Sequence, residues 1–151
     1  MTNRITHSQV YVLDQDEALD FYVGKLGFEV NTDVDLGFMR WLTVNLPGQP
    51  EPQLLLELPG PPAHDEATGE LLRELVTKGA MGVAAIIAVD DVHAMYEDLK
   101  SQGVEFTEEP TERFYGIDCG LRDPFGNHLR IGTLKEAPDE FDPAQLADGV
   151  G

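Results

Sequence analysis

Apolar and polar positions along the chain set out one supersecondary unit twice. The segment VYVLDQDEALDFYVGKLGFEV, Val10 to Val30, returns in altered form as IIAVDDVHAMYEDLKSQGVEF, Ile86 to Phe106. Each copy reads as an apolar strand, an Asp, an amphipathic helix closed by Gly, and a second strand opening after that Gly. Two such modules must pair to bury their apolar faces, and function is expected where they meet.

In the first copy, Ile5 to Leu13 alternates as a strand with His7, Gln9 and Tyr11 on one face and Val10 and Val12 on the other. Asp14 or Asp16 caps the helix that follows. Its apolar positions Ala18, Leu19, Phe21, Tyr22, Val23 and Leu26 run at helical spacing up to a cap at Gly27. Phe28 to Asp33, Gly37 to Asn45 and Gln53 to Leu58 read as three more strands. A Pro-Gly stretch, Pro59 to Pro62, and a helix from Asp65 to Lys78 form a linker. The second module predicts a strand over Gly82 to Val89, a helix over Asp91 to Gln102, and strands at Val104 to Thr107, Ile117 to Arg122 and His128 to Leu134. Asp123-Pro-Phe-Gly-Asn127 makes the turn before the last strand. The chain thus divides as a single α+β domain over 1–134, with module one at 5–58, a linker helix at 59–81 and module two at 82–134. The acidic tail 135–151 has no apolar periodicity, and is expected to be flexible or to drape over a partner subunit.

At 151 residues the chain is long enough for one compact domain that buries roughly 68–70% of its unfolded surface. Its single cysteine, Cys119, forms no internal disulfide, and the first residues lack a signal-peptide pattern, so a reducing, cytoplasmic setting is expected. No apolar run approaches the roughly 20 residues of a membrane helix. The net charge of -18, from 28 acidic and 10 basic residues, argues against nucleic acid as a partner and weakly favours a cationic ligand.

Several of these segments together resemble the vicinal oxygen chelate superfamily, which includes glyoxalase I, bleomycin-resistance proteins and extradiol dioxygenases. The matching features are His7 with Asp14 seven positions on, ALDFYVGKLGFEV, the strand LLLEL with Glu57, VDDV, and DPFGNHLRI. The resemblance implies two βαβββ modules forming a curved eight-stranded sheet around a cup, in many members built across a homodimer. In metal-dependent members the cup holds a divalent ion such as Ni, Zn, Mn or Fe. Carried over, the first two ligand positions fall on His7 and Glu57. The third falls on Ala84, or Val83 by strict repeat offset, and the fourth on Arg130. Half the ligand set is therefore missing, a guanidinium repels a cation, and a resident cofactor is not expected.

On this resemblance Arg130 would stand where the ion stood and pair with Glu57, within a chain or across a dimer, with His7, Gln9 and Tyr11 supplying hydrogen bonds. Glu57 among four leucines is a telling position, because a carboxylate in an apolar strand is rarely buried unpaired. Trp41, Phe38, Phe114 and Tyr115 read as core or cup wall, and Cys119 as a small buried residue lining the pocket. His64, His93 and His128 read as loop, helix surface and rim. Besides an interaction domain whose cup is filled by apolar side chains, two classes of function stay open. One is a binding protein of the bleomycin-resistance type, holding an antibiotic or metabolite with Gln9, Tyr11, Arg130, Trp41 and Cys119. The other is a lyase, isomerase or dioxygenase, acting through a reduced metal site of His7 and Glu57 or through metal-free acid-base chemistry by the same two residues.

Overall fold

The structure, a computed structural model, describes residues 2–135, so the acidic tail from 136 on lies outside the described residues. Its elements are β1 (His7–Tyr11), α1 (Gln15–Tyr22), β2 (Glu29–Asp35), β3 (Arg40–Asn45), β4 (Gln53–Glu57), α2 (Glu66–Thr77), β5 (Val83–Ala88), α3 (Val92–Ser101), β6 (Thr111–Arg113), β7 (Gly116–Arg122) and β8 (His128–Leu134). The strands form two four-stranded sheets, ordered β1-β4-β3-β2 and β5-β8-β7-β6, so the repeat seen in the sequence is a repeat of structure. By contacts the chain falls into two compact units. One holds the residues up to Ala84 together with Pro124–Asn127, the other Ala85–Asp123 and the described residues from His128 on. Among the described residues no helix is long and apolar enough to cross a membrane.

In the first unit β1 runs parallel to β4, with His7 opposite Gln53 and Tyr11 opposite Glu57. β3 lies antiparallel to both β4 and β2. Strand alternation sends Val10, Leu42, Val44, Leu54 and Leu56 to one face, where they are buried with Val12 and with Ala18, Phe21 and Tyr22 of α1. The Asp14 side chain accepts from the Glu17 backbone N–H at 2.9 Å and caps α1. The helix ends at Tyr22, short of the expected Gly27. A further turn, with Lys25 and Leu26 N–H both donating to the Phe21 carbonyl, carries the chain to Gly27, whose φ of 84° reverses it.

The linker helix α2 belongs to the first unit, and Val76 is fully buried. Gly126 of the Asp-Pro-Phe-Gly-Asn turn packs so closely that a Cβ there would lie 2.6 Å from the Val76 carbonyl oxygen. At the other end of α2, a Cβ on Gly69 would lie 2.7 Å from the Cα of Gly60 in the Pro-Gly loop.

In the second unit Cys119, Leu121, Leu129 and Ile131 are buried on the same side as Val92, Tyr96 and Leu99 of α3. The predicted strand Val104 to Thr107 is reduced to one bridge, Phe106 to Leu121, and the ladder resumes at β6 with Thr111 opposite Asp118. The Thr107 N–H donates to the Gly120 carbonyl, so Glu108, Glu109 and Pro110 together occupy the place opposite Cys119. Proline cannot donate to a ladder, which makes this run a natural point of interruption. The first copy of the repeat breaks at the equivalent step, where Asn31 is inserted between Val30 opposite Val44 and Thr32 opposite Thr43.

Alanine in place of a helical glycine ordinarily stabilises by roughly 0.5–1 kcal/mol. At Gly69 the backbone of Gly60 leaves no room, so Gly69→Ala is expected to destabilise by about 1–3 kcal/mol, read as a lowered urea midpoint.

Candidate functional site

The face of the first sheet away from α1 is polar and aromatic. Parallel register places His7, Gln9 and Tyr11 of β1 level with Gln53, Leu55 and Glu57 of β4, and Thr43 comes opposite Leu55. Trp41, two residues before Thr43, lies on this same face near Glu57. The rings of His7 and Trp41 meet edge to face with centroids 6.0 Å apart, and His7 Nδ1 lies 3.0 Å from the Thr6 hydroxyl. Tyr11 bonds His64 Nε2 through its hydroxyl at 2.8 Å. Burial, and then the negative charge of Glu57, push the Tyr11 phenol above its usual range, so it stays a neutral donor at physiological pH.

Beside β1 lies a cleft of about 220 Å³ lined by Ser8, Gln9, Tyr11, Met81, Ala84 and Asn127. Asn127 holds its wall by donating from Nδ2 to the Tyr11 carbonyl at 2.7 Å. A smaller pocket of about 110 Å³ opens at the end of β4 between Glu57, Leu58, Pro61 and Pro62 and the residues Phe38, Met39 and Arg40. Its floor is fixed by Gln15, a buried amide that donates to the carbonyls of Leu56 at 2.9 Å and Arg40 at 3.2 Å. Arg40 is itself committed. Nε and Nη2 grip the two oxygens of Asp33 at 2.8 and 2.9 Å, and Nη1 reaches Asp16 at 2.8 Å. That grip holds the Asp33 carboxyl below its usual range.

Register places His7 and Glu57 four positions apart along paired strands, about 13 Å of backbone at ~3.3 Å per residue. The residue beside His7 is Gln53, whose Oε1 accepts from the Thr43 hydroxyl at 2.7 Å. Ala84 lines the cleft with no donor atom on its side chain. Among the described residues, no group of three or more His, Cys, Asp or Glu side chains comes together at these positions.

The expected Arg130–Glu57 pair does not form within the chain, where Arg130 finds its carboxylates on its own sheet. Nε donates to Asp118 Oδ2 at 2.8 Å, and Nη2 donates to Glu108 Oε1. Arg113 binds the same two acids, Glu108 at 2.9 Å and Asp118 at 3.4 Å, and the Tyr115 hydroxyl donates to Asp118 Oδ2 at 3.0 Å. Burial alone would raise the Asp118 carboxyl, but the hydrogen bonds and charge of Arg130, with Tyr115 and Arg113, outweigh it and hold the group below its usual range. Gly120 makes room for this network, since a Cβ there would lie 2.5 Å from the Thr107 hydroxyl and 3.2 Å from Arg130 Nη1. Cys119 alternates to the opposite, apolar face of β7, fully buried, and burial followed by the charges of Asp118 and Glu108 pushes its thiol up to about 11. It therefore does not share a face with Arg130.

Sequence reasoning missed His64, Asp118, Glu108 and Arg113. Asp118 carried the same signature as Glu57, a carboxylate inside an apolar strand, in GIDCGLR. His64 left no pattern, because it meets Tyr11 across the Pro-Gly loop.

Residues 4–131 match the Glyoxalase/Bleomycin resistance protein/Dioxygenase superfamily, and the chain belongs to it. It is 36% identical over 129 residues to the uncharacterized protein YurT of Bacillus subtilis (strain 168), covering 85% of this chain and 97% of that protein. The crystal structure of UcmS2 is similar, with a TM-score of 0.82 and 40% identity over 87% of this chain and 98% of that one. That of TnmS3, described as an antibiotic binding protein from Streptomyces sp. CB03234, has a TM-score of 0.70 and 26% identity, over 89% of this chain and 98% of that one.

Removing one partner from a buried charged network strands the other. Arg130→Gln is expected to lower stability at pH 7 by about 3 kcal/mol. Because the folded Asp118 carboxyl titrates below its unfolded value of about 3.9, this contribution is present above that value and lost as pH falls through the folded one. Urea unfolding of both proteins from pH 7 to pH 2 should therefore show the gap narrowing in acid.

Proposed function

We propose that the chain binds a small organic molecule, an antibiotic or a metabolite with an aromatic portion, on the open face of the first sheet, without a resident metal. The observation that carries the reading is that face itself: His7, Gln9, Tyr11 and Trp41 stand together beside a cleft, while the reverse face is closed over the core. An aromatic and polar wall of this kind supplies stacking area and a few orienting hydrogen bonds, the usual composition of a small-molecule site. The description of TnmS3 as an antibiotic binding protein supports the same reading. The Tyr11–His64 hydrogen bond supports a second one, metal-free acid-base catalysis in which a neutral phenol donates a proton to bound substrate.

The test is titration of isotope-labelled protein with metal-free bleomycin and with 2-naphthalenemethanol, a neutral aromatic probe. It follows the amides of His7, Gln9 and Tyr11 and the indole N–H of Trp41, the only tryptophan. Saturable shifts that weaken about tenfold or more in Trp41→Ala and Tyr11→Ala are expected. Silence of these signals with both compounds at millimolar concentration would overturn the reading. Recovered ligand of unchanged mass supports binding alone, whereas a mass change abolished by Tyr11→Phe would establish catalysis.

We also infer a cytosolic homodimer, since Ile5, just ahead of β1, and Ile86 of β5 leave large apolar side chains in solvent, at 72% and 71% exposure. Sedimentation equilibrium is expected to give twice the 16.6 kDa chain mass, with Ile86→Lys shifting it towards the monomer. A monomer at high micromolar concentration would remove the inference.

A further inference from the structure

We propose that the pocket at the end of β4 recognises an alkylammonium group on the ligand, with Glu57 as its counter-charge. This rests on the reading of the first-sheet face as the ligand site and adds the chemistry of one end of the ligand. Among the described residues, no hydrogen-bond donor or cation engages the half-buried Glu57 carboxylate. Every other charged side chain at this pocket is engaged: Arg40, the one cation on its wall, spends its guanidinium on Asp33 and Asp16. A partly desolvated carboxylate without a partner is costly, and a ligand cation relieves that cost.

The rest of the wall selects among cations. Phe38, Met39, Leu58, Pro61 and Pro62 offer carbon and sulfur rather than hydrogen-bond acceptors. A primary ammonium needs three acceptors, and Glu57 with the Gln15 amide oxygen supplies them only in part. A tertiary or quaternary ammonium is sheathed in methyl groups and suits one carboxylate with an apolar and aromatic surround. The volume of about 110 Å³ fits a head group, leaving an attached ring system to lie along the sheet face towards Tyr11 and Trp41. An anion would meet Glu57 and a guanidinium already neutralised, so the pocket disfavours carboxylates and phosphates.

Calorimetric titration with two probes sharing one ring system tests this: trimethyl(2-naphthylmethyl)ammonium and 2-naphthalenemethanol. The cation is expected to bind at least tenfold more tightly. That preference should vanish in Glu57→Gln, shrink in Phe38→Ala, and persist in Asp20→Asn, a charge removed from the exposed side of α1. Phe38 is 69% exposed, so its variant keeps the fold even where Glu57→Gln fails to melt as the parent does. Equal affinity for the two probes, a preference that survives Glu57→Gln, or an equal loss in Asp20→Asn from the general negative field would each overturn the proposal. Binding of the neutral probe without a cation preference would overturn this inference alone. Absence of binding by either probe would overturn the reading beneath it.

Discussion

Strand register is the constraint on which the rest of this protein depends. Side chains alternate with a period of two, so once His7 is set opposite Gln53, every residue of β1, β4 and β3 is committed to one face and one level. The apolar set closes over α1, and the polar set becomes an open surface. The same registry keeps His7 and Glu57 at opposite ends of their strands. It thereby supports the proposed reading of that face as one offering separate contacts along an extended ligand.

The two sheets have used their polar faces differently. On the second, two guanidinium groups and two carboxylates satisfy one another, with Tyr115 completing the set around Asp118. Such a network holds β6, β7, β8 and the Glu108 segment together. On the first, Arg40 is neutralised by Asp33 and Asp16 while Glu57 is left open. The asymmetry between a closed network and an open carboxylate is what supports the proposal of a ligand site on the first sheet.

Much of the fold was legible in the sequence because it was written twice. Asp14 and Asp91 each precede an amphipathic helix and each caps it, and the strand patterns around Val10 and Ile87 have the same alternation. Glu57 was legible as a pocket residue by its apolar neighbours. Its neighbours were not, because they depend on register, and register between β1 and β4 follows from how the long connection folds back rather than from either strand. The contacts of Arg130 within the chain were hidden for a related reason. A family position says which strand a residue occupies, whereas its hydrogen bonds go to whichever carboxylates the neighbouring strand brings alongside, here Asp118 and Glu108. His64 was hidden because loop residues carry no periodicity that points to a partner.

The ladder breaks in the two modules differ in parity, and this separates two kinds of change that the repeat tolerates. Asn31 adds a single residue, so Val30 sits level with Val44 on the core side while Thr32 sits level with Thr43 on the open side. Glu108 to Pro110 add an even number, so Thr107 and Thr111 return to the ladder in phase, opposite Gly120 and Asp118. An odd insertion exchanges inside for outside in everything before it, whereas an even one is silent to the sheet and merely hangs new side chains over it. The second module could therefore acquire Glu108, and with it a partner for both arginines, without rewriting a single buried position.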